Sequence, residues 1–179
     1  MSAVVSAPVN HWAIRPLTAA DVDSLLHIQS QAYAAQLHES RAVFARRLAV
    51  GHQCSLGVER PGESGLLAYA AAYWSAVGRI TALNGDFEPP PPQAAPALYL
   101  HDISVLPALA GQKVAHALIV RLMELARSRA VAHMALVAVQ GSGRFWQRYG
   151  FAEQKVTTPA EQQHLDSYGP GALYMARRL

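Results

Sequence analysis

Apolar positions change their period several times along the chain, and each change marks an element. Val22, Leu25, Leu26 and Ile28, continuing to Ala32 and Tyr33, recur at helical spacing. They follow Thr18-Ala19-Ala20-Asp21, where Thr18 is a candidate N-cap and Asp21 and Asp23 suit the positive end of a helix. Residues 11–15 predict a short strand before it, closed by Pro16. Val43, Phe44 and Leu48 give a second helix over residues 39–50 its buried side, and Gly51 stops it. Residues 53–59 and 66–76 read as two strands around the turn Pro61-Gly62-Glu63-Ser64-Gly65, an antiparallel hairpin. Residues 84–96 contain Pro89-Pro90-Pro91-Pro92, which excludes helix and central strand and predicts a loop.

The second half is patterned more sharply. Residues 98–105 predict a strand, and residues 111–129 a helix with Val114, Leu118, Leu122 and Leu125 on one face. Residues 133–139 are almost continuously apolar, as expected of a strand buried on both faces. Strand, helix, strand in this order predicts a right-handed crossover and a parallel pair. A short helix over 143–149 and closing strands over 151–156 and 173–178 complete the pattern. The segment 157–171 reads as a loop.

Composition narrows the class. A chain of 179 residues with 51% hydrophobic content and mean hydropathy +0.09 fits one ordered domain, 1–179, with residues 1–10 flexible. The net charge of +3 comes from scattered Lys and Arg, without a basic run or aromatic platform, which argues against a nucleic-acid partner. No apolar run is long enough to span a bilayer, and the N-terminus does not read as a signal peptide. The single cysteine, Cys54, allows no intrachain disulfide and reads as core. These features place the protein in the cytoplasm, with no membrane partner and with oligomeric state open, a homodimer included. The histidines lack ligand spacing, so no metal site is expected.

The candidate chemistry lies between residues 99 and 151. After the strand comes Leu106-Pro107-Ala108-Leu109-Ala110-Gly111-Gln112-Lys113-Val114-Ala115-His116. Backbone N–H groups from Gly111 to His116 at the start of a long helix would face an anion such as a pyrophosphate, and Lys113 could add a direct contact. The bland reading is a helix start with a solvated lysine. His101 and Asp102 offer proton chemistry just upstream. Tyr99 shares a strand face with His101, whereas Asp102 points to the opposite face unless a bulge turns it. A partly buried core histidine is the alternative for His101.

This order of elements resembles the GNAT superfamily of acetyl-CoA-dependent N-acetyltransferases, across nearly the whole chain. Gly111 and Ala115 match that family's turn pattern, while Ala110 and Lys113 depart from it. Trp146-Gln147-Arg148-Tyr149-Gly150-Phe151 is similar to its Tyr-x-x-x-Gly-Phe, with Trp146 in place of the first Tyr. Tyr99-Leu100-His101-Asp102-Ile103-Ser104-Val105 is similar to the matching strand of the arylalkylamine N-acetyltransferases, with His101 at the second of two histidine positions. The resemblance implies an α/β fold (α+β by some schemes). Its core would be a single mixed, mostly antiparallel, twisted sheet with a parallel central strand pair and flanking helices. It implies acetyl-CoA as co-substrate and no metal. The cofactor would be held by Ile103, Ser104 and Val105 along a splayed strand edge, by Gly111, Gln112, Lys113, Val114, Ala115 and His116 at the turn, and by Trp146. The implied activity is acetyl transfer to a primary amine, a small molecule first and a protein lysine or N-terminus second. A catalytically silent acyl-CoA-binding module is the alternative from another class. His101 would be the base, with Asp102 the second candidate. Tyr149, then Tyr99, then solvent would protonate the departing thiolate.

Overall fold

A computed structural model describes residues 12–179; the expected flexible residues 1–10 and the first residue of the first strand lie outside this range. Among the described residues, seven strands form one twisted sheet. They are β1 (Ala13–Pro16), β2 (Leu56–Glu59), β3 (Ala68–Ala76), β4 (Pro96–Val105), β5 (His133–Ala138), β6 (Ala152–Glu153) and β7 (Leu173–Arg178), in the spatial order β1-β2-β3-β4-β5-β7-β6. Only β4 and β5 run parallel, as the crossover requires; every other pair is antiparallel. The helices are α1 (Val22–Ala32), α2 (Arg41–Ala49), α3 (Val114–Ser128), α4 (Gly143–Gln147) and α5 (Pro159–Asp166). No described helix is long and apolar enough to cross a membrane.

The two faces of the sheet bury separate cores. On one, Ala68, Ala70 and Ala72 of β3 alternate with the other face and, being small, leave room for Leu118, Leu122 and Met123 of α3. On the other, Tyr69 and Tyr73 join Leu25 and Ile28 of α1 and Phe44 of α2. The nearly uniform burial of β5 follows from this double cover.

Several boundaries differ from expectation for local reasons. The helix expected from Gly111 begins at Val114, because Gly111 and Lys113 both hold positive φ and cannot continue it. The helix expected from residue 39 begins at Arg41; the Ser40 side chain accepts from the Val43 N–H as its N-cap, which leaves Glu39 outside the helix. The last-but-one strand contracts to Ala152–Glu153. The segment expected as a loop contains α5, capped by Thr158, whose side chain accepts from the Glu161 N–H, with Pro159 in the first turn.

Candidate active site

The site begins with an irregularity in β4. Ala71 of β3 pairs with Asp102 and Ala72 pairs with Leu100, so His101 is an extra residue, a β-bulge. The bulge resets the alternation. Leu98 and Leu100 face the α3 core, and after the bulge Ile103 and Val105 face it as well. His101 and Asp102 are thereby both brought to the α1–α2 face, where a regular strand would have separated them.

His101 is 8% exposed. Its Nε2 lies 3.1 Å from each carboxylate oxygen of Glu39. Glu39 also accepts from Arg47 Nη1 at 2.5 Å and Nη2 at 2.7 Å, and from the Asn84 N–H at 2.8 Å. Arg47, 1% exposed, donates further to the Gly85 carbonyl and lies over the Phe87 ring. Burial alone would raise the Glu39 pKa, but the charge and hydrogen bonds of His101 and Arg47 outweigh it and hold the carboxyl well below its usual range. On the other side of the ring, the Tyr168 hydroxyl is 3.3 Å from His101 Nδ1 and donates to the Thr81 carbonyl at 2.6 Å.

Asp102 forms a second cluster. Its carboxylate accepts from Tyr33 at 2.6 Å, from Ser104 at 3.3 Å and from the Tyr69 hydroxyl. Burial raises its pKa, with the tyrosine hydrogen bonds opposing. The same burial, followed by the Asp102 charge, pushes both phenols well above their ordinary value.

A cavity of about 290 Å³ opens where β4 and β5 part. Their pairing covers only Leu98–Leu100 against Met134–Leu136. Beyond it β4 continues to Val105 and β5 to Ala138 without bonding to each other. The splay leaves a strand edge free between Ile103 and Val137, both of which line the cavity together with His101, Asp102, Glu39, Tyr33, Tyr168 and Trp146. Ala115 of α3 lines it as well.

The turn before α3 leaves a run of backbone donors open. A short 3₁₀ turn, Pro107–Leu109, leads into Gly111 at φ +78° and Lys113 at φ +59°. The N–H groups of Gly111, Lys113, Val114, Ala115 and His116 find no acceptor among the described residues. The open first turn of a 15-residue helix therefore points a set of donors outward. The Gln112 side chain instead turns back to the Ala108 carbonyl.

A family model, the acetyltransferase (GNAT) family, matches residues 22–151. The chain belongs to the GNAT acetyltransferase family. It is an acyltransferase. No curated protein matches the sequence. Among solved structures the fold is similar to the ribosomal-protein-S18-alanine N-acetyltransferase from Escherichia coli, with TM-score 0.67 and 18% identity over 93% of each chain. It is also similar to the PaiA N-acetyltransferase from Thermoplasma acidophilum in complex with coenzyme A, with TM-score 0.65 and 11% identity over 94% of this chain and 99% of that one. A third is the GphF GNAT-like decarboxylase in complex with isobutyryl-CoA, with TM-score 0.68 and 17% identity over 93% of this chain and 98% of that one. At these identities the likeness is one of fold.

Within this GNAT fold the residues singled out in the sequence fall in different places. His101, Asp102, Ile103, Ala115 and Trp146 line the cavity. Ser104 lies beneath it, bonded to Asp102, and Val105 packs on the α3 core. Tyr99 and Tyr149 are not among the lining residues. Tyr99 is fully buried, and its hydroxyl has no partner among the described residues. The Tyr149 hydroxyl faces His116 Nδ1 at 3.2 Å, in the first turn of α3. Arg47 was missed. Its signal was a charged residue at the buried spacing of Val43 and Phe44, where an apolar side chain is expected.

Proposed function

We propose that the protein transfers an acetyl group from acetyl-CoA to a compact primary amine, with His101 as the base. The observation that carries this reading is the His101 imidazole, which lines the cavity at the strand splay and is braced by the buried Glu39 carboxylate. The pantetheine arm would add as a strand to the free edge at Ile103, Ser104 and Val105, and the pyrophosphate would sit on the N–H groups from Gly111 to His116, beside Lys113. The thioester then lies near Trp146, and the amine enters between Tyr33, Leu83 and Tyr168. His101 takes a proton from the attacking nitrogen, the C–N bond forms, and the tetrahedral intermediate expels the CoA thiolate. Burial raises the Tyr168 phenol far above its ordinary value, so this hydroxyl would donate a hydrogen bond and keep its proton. Tyr149, Tyr99 and solvent remain the candidates for protonating the thiolate.

The size of the acceptor follows from the walls. The Ile80 N–H donates to Glu161 at 2.6 Å, the Leu83 N–H to Ser167 at 2.8 Å, and Tyr168 to Thr81. These bonds tie α5 and its following turn to residues 80–83 and favour a small molecule over an extended chain. A protein N-terminus is the second reading, favoured by the fold shared with the S18-alanine enzyme. Thiol release from acetyl-CoA with a panel of arylalkyl, alkyl and diamine acceptors and short peptides separates them. Turnover on small amines supports the reading, and turnover on peptides alone overturns it. CoA binding with no turnover on any acceptor would indicate the silent module.

A further inference from the structure

Arg47 does not line the cavity, yet it is the most buried charged side chain among the described residues and belongs to the chain of contacts that ends on His101. A buried Arg–Glu pair is poor evidence of a device for stability, since apolar side chains of the same volume commonly do as well. Its geometry suggests another use. A carboxylate only accepts hydrogen bonds, so the nitrogen held 3.1 Å from both Glu39 oxygens is the protonated one. That leaves Nδ1 as the site that takes up a proton, on the side of Tyr168. A bare Glu39 carboxylate would also draw a second proton onto the ring and hold it there, and an imidazolium cannot accept the amine's proton. The Arg47 guanidinium covers both carboxylate oxygens in a fork and is itself fixed by the Gly85 carbonyl.

We propose that Arg47 is a positioning residue of the active site: it holds and half-neutralises Glu39, so that Glu39 fixes the His101 ring without locking it in the charged form. The inference rests on the reading of His101 as the base. The other titratable groups facing the ring are Asp102 and Tyr99 on its own strand and Tyr168 after α5. None of them lies between Arg47 and Glu39, so replacing Arg47 changes the balance at Glu39 first.

The test is the pH dependence of kcat/KM together with the NMR titration of the His101 ring, in wild type, Arg47→Met, Arg47→Lys and Glu39→Gln. Loss of the Arg47 charge should move the His101 midpoint and the acid limb of the profile upward by about one unit or more, as expected for an opposite charge left uncompensated nearby. Arg47→Lys should restore most of the shift, and Glu39→Gln should move both downward. A folded Arg47→Met protein with an unshifted His101 titration overturns the proposal. If Arg47→Met does not fold, an unshifted Glu39→Gln titration overturns it equally. If the ring shifts while the rate profile does not, Arg47 tunes His101 as proposed and it is the assignment of His101 as base that falls.

Discussion

Replacing Gly111 with valine separates the fold from cofactor binding. Gly111 holds φ +78°, and a Cβ built there meets nothing within 4 Å. The cost in the free protein is therefore conformational, about 1–2 kcal/mol for a non-glycine residue in the left-handed region. A domain of ordinary stability, about 5–15 kcal/mol, survives that. The cost to the complex is larger, because the new side chain stands over the N–H groups of the turn. A hydrogen bond to a charged partner contributes about 1.5–3 kcal/mol. Losing one such bond corresponds to roughly a 10- to 100-fold weaker affinity for CoA, at about 1.4 kcal/mol per factor of ten. Calorimetric titration with CoA, alongside denaturant unfolding, reads both quantities. Unchanged CoA affinity in a folded Gly111→Val protein would falsify the assignment of this turn. Lys113→Ala should have a smaller effect that shrinks with added salt, since the lysine is exposed.

Glu39 titrates below its ordinary value of 4.5 in the native state, so its contribution to stability is complete above that value and is lost as pH falls through the lowered native pKa. Glu39→Gln should therefore lose less stability on acidification than wild type, in urea unfolding at successive pH values; parallel losses would contradict the pairing. Asp102 has the opposite sign: its raised pKa favours the folded state below the ordinary carboxylate value and the advantage fades as pH rises through the native one. The buried Tyr99 hydroxyl finds no partner among the described residues, so Tyr99→Phe should gain about 1 kcal/mol in denaturant unfolding, and a loss would mean the hydroxyl is bonded. Tyr168→Phe should slow turnover more than Tyr149→Phe, because only the first hydroxyl lies at the cavity beside His101; the reverse order would move the leaving-group contact to Tyr149.

The sheet was readable because its strands and α3 carry clean periods, and because strand, helix, strand admits one handedness. The motif at Gly111 was readable as donors at a helix start, although the positive φ of Lys113, which delays the helix, has no sequence mark. His101 and Asp102 were both visible as candidates, but alternation placed them on opposite faces. The bulge that unites them is a matter of register with β3, where Ala71 and Ala72 look alike as sequence. Arg47 was hidden for a related reason: its pairing with Glu39, which meets His101 across 62 residues of chain, depends on how α2 packs. α5 was overlooked although Thr158-Pro159-Ala160-Glu161 carries its capping signature, because the helix is short and weakly amphipathic.

The central claim is that His101 accepts the proton of a compact amine acetylated from acetyl-CoA. It is tested most directly by following formation of the N-acetylated amine by mass spectrometry, across pH, with wild type and His101→Gln on the best acceptor of the panel. The account expects wild-type product to form with an acid limb in its pH profile. It expects the variant to be slower by about 10²-fold or more at neutral pH, with the gap narrowing at high pH, where the free amine is abundant. A folded His101→Gln protein that acetylates the amine at the wild-type rate and with the wild-type pH profile would contradict it.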